Sequence, residues 1–258
     1  MWRWRELSKL IDINSDVGES FGRYKLGFDE ELMKYVTSIN IACGLHAGDP
    51  MVMRKTVFLA KENGVKVGAH PSYPDLQGFG RRSIEMSEEE VENFVLYQIG
   101  ALSAFLKIYN LHLHHIKPHG ALYNDAIKKP LIAKAIGKAV LLFDKNVKIY
   151  GLSGSKAVEV WKDMGLDVFE EIFADRNILD NGLLVPRREP NAVIHDTEII
   201  RDRITSLIKY GEMESINGKR IKLNFDTICV HGDTPNALNI AKTVRKVLER
   251  EGVTAKNE

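Results

Sequence analysis

Short apolar runs alternate with stretches of helical periodicity along nearly the whole chain. The runs that read as buried strands are Leu10 to Asn14, Ser38 to Cys43, Val65 to Ala69, Leu113 to Lys117, Val147 to Leu152, Asp167 to Phe173 and Thr227 to His231. Helices with legible ends lie between them. Asp49-Pro50 opens one that Gly64 closes, because proline fits the first helical position and glycine tolerates the left-handed exit. Ser87 and Glu90 form a capping box ahead of Val91, Phe94, Val95, Ile99, Leu102 and Leu106 on one face. Thr234-Pro235 is expected to start the last helix, which carries Leu238, Ala241, Val244 and Val247 at helical spacing and ends at Gly252. Strands alternating with helices predict parallel units joined by right-handed crossovers, hence an α/β fold. Seven strands exceed the needs of a small open sheet and approach the eight of a complete barrel, so the pattern favours a single β/α barrel domain over residues 1–258, with a missing or irregular unit, ahead of an open sheet.

No Gly/Ser linker or low-complexity segment interrupts that domain. Residues 1–8 are expected to form an N-terminal arm and residues 253–258 a frayed tail. The stretch 174 to 196 is the longest without helical periodicity and carries Asp175, Arg176, Arg187 and Arg188, which suggests a functional loop such as a lid.

Four of the apolar runs end alike, in a histidine flanked by glycine, proline or another small residue. They are NIACGLHAGDP around His46, VKVGAHPSYPD around His70, HHIKPHGALYN around His119 and TICVHGDTPN around His231. If the strands are parallel, all four histidines gather at the rim where α/β folds place their chemistry. A lone histidine is more often structural than catalytic, but four after four strands reverse that expectation.

The first strand adds Asp12, Asn14 and Asp16 at same-face spacing, followed by Glu19. Carboxylates there can serve as general base, metal ligand or orienting partner; Asn14 and Asp16 can equally cap the turn before Gly18. Asp49 follows His46 and is also the expected helix cap. Arg81 and Arg82 lie beside glycines, a pattern that suits carboxylate or phosphate recognition as well as it suits a solvated surface pair. Lys117 and His119 share a face, so the lysine can stabilise a developing oxyanion while the histidine moves a proton. Cys229, His231 and Asp233 repeat the two-residue spacing, with Asp233 able either to orient an imidazole or to cap the next helix. Asp16, His46 and His70 are the candidate metal ligands, although no HxxxH or HExxH pairing fixes a geometry.

Composition narrows the function classes. The 258 residues are 44% hydrophobic and 28% charged, enough to bury a sizeable core. The net charge of +1 gives no overall pull toward nucleic acid or an acidic membrane, and no apolar run is long enough for a membrane span. Two cysteines, Cys43 and Cys229, with no CxxC, fit a reducing cytoplasm. There is no GxxxxGK[ST] motif, and no GxGxxG follows a strand, so an ordinary phosphate loop or dinucleotide site is unsupported.

At the stretches DINSDVGE, NIACGLHAGDP, VGAHPSYPD with GFGRR, IKPHGALYN, EIFADR with LVPR, and VHGDTP, the chain resembles the LamB/YcsF family, whose members are described as the A component of 5-oxoprolinase. These motifs run in order from about residue 10 to residue 245. The resemblance implies a seven-stranded β/α barrel of the glycoside hydrolase/deacetylase type. It also implies ATP-dependent opening of 5-oxoproline to glutamate, with ADP and phosphate released, magnesium accompanying the nucleotide, and partner subunits B and C. The motif residues carried over are Asp12, Asn14, Asp16, Glu19, His46, Asp49, His70, Lys117, His119, Arg176, His231 and Asp233. On this reading Asp16 or His70 activates water, Lys117 and His119 stabilise the oxyanion, and Arg81 or Arg176 binds the substrate carboxylate; the remaining motif residues line the substrate site. MWRWREL lies outside the motifs and reads as an exposed arm, a partner contact or an incorrectly assigned start. Two competing readings are a metal-dependent deacetylase of N-acetylated sugars and a non-catalytic carrier that delivers a small acid to partner subunits.

Overall fold

A computed structural model describes residues 10–234 and 236–256. Its strands are β1 (Leu10–Val17), β2 (Ser38–Ala42), β3 (Lys66–His70), β4 (His115–Ile116), β5 (Lys148–Leu152), β6 (Val168–Phe173), β7 (Glu212–Glu214), β8 (Arg220–Lys222), β9 (Thr227–Val230) and β10 (Thr254–Ala255). Its helices are α1 (Asp29–Leu32), α2 (Pro50–Asn63), α3 (Glu88–Ile108), α4 (Gly120–Lys128), α5 (Pro130–Phe143), α6 (Lys156–Asp163), α7 (Thr197–Tyr210) and α8 (Ala237–Arg250). Strands β1 to β6 and β9 pair in parallel, and β9 returns to β1, so these seven strands close a barrel. No helix among the described residues is long and apolar enough to cross a membrane.

The barrel wall follows the two-residue period of its strands. Ile11, Ile13, Ile39, Ile41, Ile116, Ile149, Ile172 and Ile228 belong to the large apolar core shared with the helices. The alternate positions, Asp12, Asn14, Asp16, Ser38, Asn40, His115, Lys117, Glu171 and Thr227, are buried and polar. They bond to one another across the barrel axis. Such an interior is stable only if its polar atoms are paired. Among the described residues, Arg203 Nε is the one buried side-chain nitrogen or oxygen without a hydrogen-bond partner.

At the amino-terminal end of the barrel, Asp12 accepts hydrogen bonds from Thr37 (2.5 Å), Ser38 (2.9 Å), Thr227 (2.5 Å) and Tyr150 (3.1 Å). One layer higher, His115 Nε2 is 2.6 Å from Asn40 Oδ1, and its ring stacks on Tyr150 at 3.9 Å. That imidazole occupies the space beside Gly68, where a Cβ would lie 2.2 Å from Nε2.

The expected caps form. Asp49 accepts from the Met51 and Val52 amides, and Gly64 ends α2 at φ 65°. Ser87 and Glu90 complete the capping box of α3. Elsewhere the structure departs from the sequence-based expectations. β1 runs three residues beyond Asn14, which carries Asp16 into the barrel wall. β4 shrinks to His115–Ile116. The last helix begins at Ala237, and the Thr234 hydroxyl bonds to Asp175 instead of capping it. The tail is not frayed over its described part: Thr254 and Ala255 pair in parallel with Leu10 and Ile11, and Val253 is buried. The expected arm, residues 1–8, lies outside the described residues. Residues 174 to 196 are not a free flap: Ile178, Val185, Ala192 and Ile194 are buried, and Arg176 donates to the carbonyls of Ala192 (3.2 Å) and Val185 (2.6 Å). The antiparallel hairpin β7–β8 was not anticipated.

Gly68→Ala should lower stability by about 1–3 kcal/mol, because His115 is fixed on both faces and has nowhere to move. Equilibrium urea unfolding reads this directly; an unchanged midpoint would show that the barrel interior is looser than described.

Candidate functional site

The candidate functional residues lie at the carboxyl ends of the barrel strands, each placed by a strand end or the turn after it. Asp16 is in β1 and Glu19 follows it; His46 comes after β2, His70 ends β3, Lys117 and His119 follow β4, Glu171 is in β6, and His231 follows β9. The barrel gathers them into two adjoining groups.

The deeper group centres on Lys117, which is 2% exposed. Its Nζ lies 2.8 Å from Glu171 Oε1, 3.1 Å from Asp16 Oδ1, 3.1 Å from Asn14 Oδ1 and 3.0 Å from Cys229 Sγ. Asn14 also donates to Glu171 (2.9 Å) and Thr227 (2.8 Å), and Tyr123 donates to the other Glu171 oxygen at 2.9 Å. Burial alone would lower the pKa of Lys117, but Asp16 and Glu171 raise it well above the usual lysine value. Burial likewise opposes charge on Asp16, yet His70 and Lys117 hold its carboxyl well below the ordinary range. The result is an ionised Asp16 beneath the rim. Burial pushes the Cys229 thiol well up, so it stays protonated.

The second group is formed by three imidazoles and a carboxylate. His46 stacks on His119 with ring centroids 3.8 Å apart, and His70 Nε2 lies 3.0 Å from His119 Nδ1. His46 Nε2 is 3.3 Å from Glu19 Oε1. Burial, then repulsion from neighbouring histidines, lowers the pKa values of His46 and His119 well below the usual range. Burial, then Asp16, raises that of Glu19. Phe79 has φ 54°, a conformation costly for a side chain of its size, and its carbonyl lies 2.9 Å from His119 Nε2. Beside it, Gly80 leaves room for both imidazoles: a Cβ there would lie 2.8 Å from His119 Cδ2 and from His46 Cβ. A cavity of about 340 Å³ opens onto this group and is lined by Glu19, His46, Phe79, Phe21, Tyr24 and Leu26 among others.

His231 lies close to Asp16, with a ring nitrogen within 4.8 Å of the carboxylate. Its Nδ1 is 2.9 Å from buried Asp175, which also accepts from Thr234. Asp175, rather than Asp233, therefore orients this imidazole. Asp233 instead bridges Arg81 (2.5 Å) and Arg187 (3.1 Å), and burial notwithstanding, Arg187, His231 and Arg81 hold its pKa at about 2.

Asp16, Glu19, His46, His70, Lys117, His119 and His231 thus come together, and Arg81 and Asp233 lie at the mouth. Three expected substrate-binding residues occupy other places. Asp12 is a layer lower with both oxygens engaged, Asp49 caps α2 and accepts from the Gly22 amide (2.8 Å), and Arg176 binds carbonyls of its own loop. Asn14 braces Lys117 and Glu171. Of the expected metal candidates, Asp16 lies 3.4 Å from His70 Nε2 and also meets Lys117 and Asn40, while His46 and His70 adjoin Glu19 and His119. The residues not anticipated are Glu171, Tyr123, Asn40, Ser72, Phe79 and Gln98, the last of which clamps Ser72 by accepting from its amide and donating to its carbonyl, both at 2.9 Å. Alternation within β6 could have placed Glu171 inside; the others carry no sequence signal.

The sequence profile of the LamB/YcsF family matches residues 11–258. The 5-oxoprolinase A subunit of Pyrococcus abyssi is 57% identical over 243 residues, covering 94% of this chain and 95% of its own. That of Campylobacter jejuni subsp. doylei is 51% identical over the same shares. A crystal structure of the lactam utilization protein from Thermus thermophilus aligns with a TM-score of 0.90 at 45% identity, covering 95% of this chain and 98% of that one. A putative cellobiose-phosphate cleavage protein from Enterococcus faecalis V583 shares the fold at a TM-score of 0.58 and 12% identity, over 96% of each chain.

Lys117→Met should cost about 3–5 kcal/mol, because it leaves Asp16 and Glu171 buried without their cation. Adding Glu171→Gln should restore part of that loss in denaturant unfolding; a double variant no more stable than the single one would contradict the pairing. Burial raises the Asp29 pKa to about 6 while its carboxylate accepts from the Gly18 amide (2.8 Å). A folded pKa above the unfolded one stabilises the fold at low pH. That contribution is complete below about pH 4 and is lost as pH rises through about 6. Asp29→Asn should remove it, so the stability difference between variant and wild type should shift by about 2–3 kcal/mol between pH 4 and 7. A difference that stays flat with pH would refute the assignment.

Proposed function

The chain belongs to the LamB/YcsF family, and on that basis we propose that it is the A subunit of an ATP-dependent 5-oxoprolinase, active with partner subunits B and C. The observation that carries the proposal is Asp16, an ionised carboxylate held between Lys117 and His70 beneath a rim that also carries His231. A lactam is a resonance-stabilised amide, so water attacks it slowly. Transfer of the ATP γ-phosphoryl group to the amide oxygen gives an imidate with a better leaving group at carbon. Water then adds to that carbon, with Asp16 taking its proton. The C–N bond breaks as the ring nitrogen gains a proton from His231, whose Asp175 contact leaves Nε2 for this task. The acyl phosphate so formed takes up a second water to give glutamate and phosphate.

Lys117 has its donors engaged by four neighbours, so its role in this scheme is to keep Asp16 ionised rather than to meet the oxyanion. His119, bonded at both ring nitrogens, contributes to the cluster and not to the substrate carbonyl. Arg81 and Arg187, which share Asp233, are the candidate partners for the substrate carboxylate, whereas buried Arg176 is turned to carbonyls of its own loop. Magnesium would accompany ATP.

The purified chain with ATP, magnesium and 5-oxoproline should release little glutamate, and addition of subunits B and C should start steady release. In the assembled enzyme, Asp16→Asn should lower kcat at least a hundredfold, and Arg81→Ala should raise KM for 5-oxoproline with a smaller effect on kcat. An assembled Asp16→Asn enzyme with full activity would remove Asp16 from the mechanism.

A further inference from the structure

We propose that Glu19, His46, His70 and His119 form a binding site for one divalent first-row transition-metal ion, with zinc as the preferred type. The argument starts from where the ring protons must be. His70 Nδ1 faces the Lys117 carbonyl at 2.7 Å and His119 Nε2 faces the Phe79 carbonyl at 2.9 Å, so both nitrogens donate. Ser72 Oγ gives its hydrogen to the Tyr73 carbonyl (2.8 Å) and therefore accepts from His46 Nδ1 at 3.0 Å. In its neutral form each ring has a lone pair on its other nitrogen. With the rings neutral, those lone pairs face one another or a carboxyl oxygen. His70 Nε2 points at His119 Nδ1 across 3.0 Å, and His46 Nε2 points at the Glu19 carboxyl across 3.3 Å.

Two facing pairs of acceptors repel unless two protons or one doubly charged ion are placed between them. A single divalent cation satisfies all four atoms at once. The spacing suits it: ligands about 2.0–2.2 Å from one ion are separated by roughly 3.0–4.4 Å. Here the separations include 3.0, 3.3 and 3.8 Å, and all four donor atoms lie within 4.8 Å of one another. The outer contacts are those that fix ligating imidazoles, namely two backbone carbonyls and a hydroxyl that is itself committed.

Three imidazole nitrogens and one carboxylate select zinc, cobalt, nickel or iron(II) over magnesium or calcium, which prefer oxygen. This ion is therefore distinct from the magnesium that travels with ATP. The cavity is lined by Glu19 and His46, so a bound ion would lie at its wall, where an entering ligand could add to its four protein donors. There it would act as a Lewis acid toward a carbonyl or phosphoryl oxygen.

The test uses the full chain, stripped with a chelator and titrated with cobalt(II). One equivalent should bind and develop the visible absorption of histidine-coordinated cobalt, and zinc should displace it. His46→Ala and Glu19→Gln should each weaken binding at least tenfold. His112→Ala, at an exposed histidine outside the cluster, should leave it unchanged. Circular dichroism establishes that each variant is folded, and Glu19→Gln preserves side-chain size, so its loss cannot come from a collapsed site. A folded wild-type chain that binds no cobalt or zinc overturns the proposal, as does affinity that survives both cluster variants. The readout is metal binding without substrate or partners, so its failure would leave the oxoprolinase reading standing, and failure of that reading would leave the site standing.

Discussion

A lysine ammonium buried inside a closed barrel is the constraint on which the rest of this structure depends. Removed from water, Lys117 must be matched by charge and by hydrogen bonds, and the fold supplies both from three different strands. Asp16 comes from β1, Glu171 from β6 and Cys229 from β9, with Asn14 of β1 bracing Lys117 and Glu171. These contacts fix the rotational register of the barrel as firmly as the apolar core outside it. A strand slipped by one residue would turn its polar partner outward and leave the lysine unpaired.

The same constraint produces the chemistry. With Glu171 and Asp16 sharing one cation and His70 adjoining, the Asp16 carboxyl stays ionised despite its burial. Layers below the rim serve it indirectly. Asp12 collects three hydroxyls and the Tyr150 phenol, Tyr150 supports His115, and His115 meets Asn40, which donates to Asp16 at 2.8 Å. Above the rim, loop packing sets the remaining groups: Gln98 of α3 clamps Ser72, Ser72 orients His46, and the strained Phe79 carbonyl orients His119. The mouth is closed on one side by the Arg81–Asp233–Arg187 bridge.

Much of this was legible in the amino-acid sequence because it follows local rules. The barrel strands are apolar runs of the right length, the caps of α2 and α3 are local hydrogen bonds, and histidines after parallel strands have to share a rim. Asp12, Asn14 and Asp16 share a face by the strand period alone, although that period does not tell that Asp12 lies a layer too deep to meet a ligand. What escaped depends on contacts distant in sequence. Glu170 and Glu171 are adjacent and chemically identical, yet one pairs with Lys162 at the surface and the other with Lys117 in the barrel. Asp175 looked like part of a long loop and Asp233 like a partner for His231; only the packed arrangement exchanges them. The tail strand β10 was missed because two residues gain a partner only from β1, at the other end of the chain.

The ionised state of Asp16 in contact with substrate is where fold and function meet, and difference infrared spectroscopy reads it. Spectra of the assembled enzyme with ¹³C-labelled aspartate, wild type minus Asp16→Asn at pH 7, isolate this carboxyl group. An antisymmetric carboxylate band that shifts when 5-oxoproline binds is the predicted result. A protonated-acid carbonyl band, or a carboxylate band indifferent to 5-oxoproline, would contradict the account.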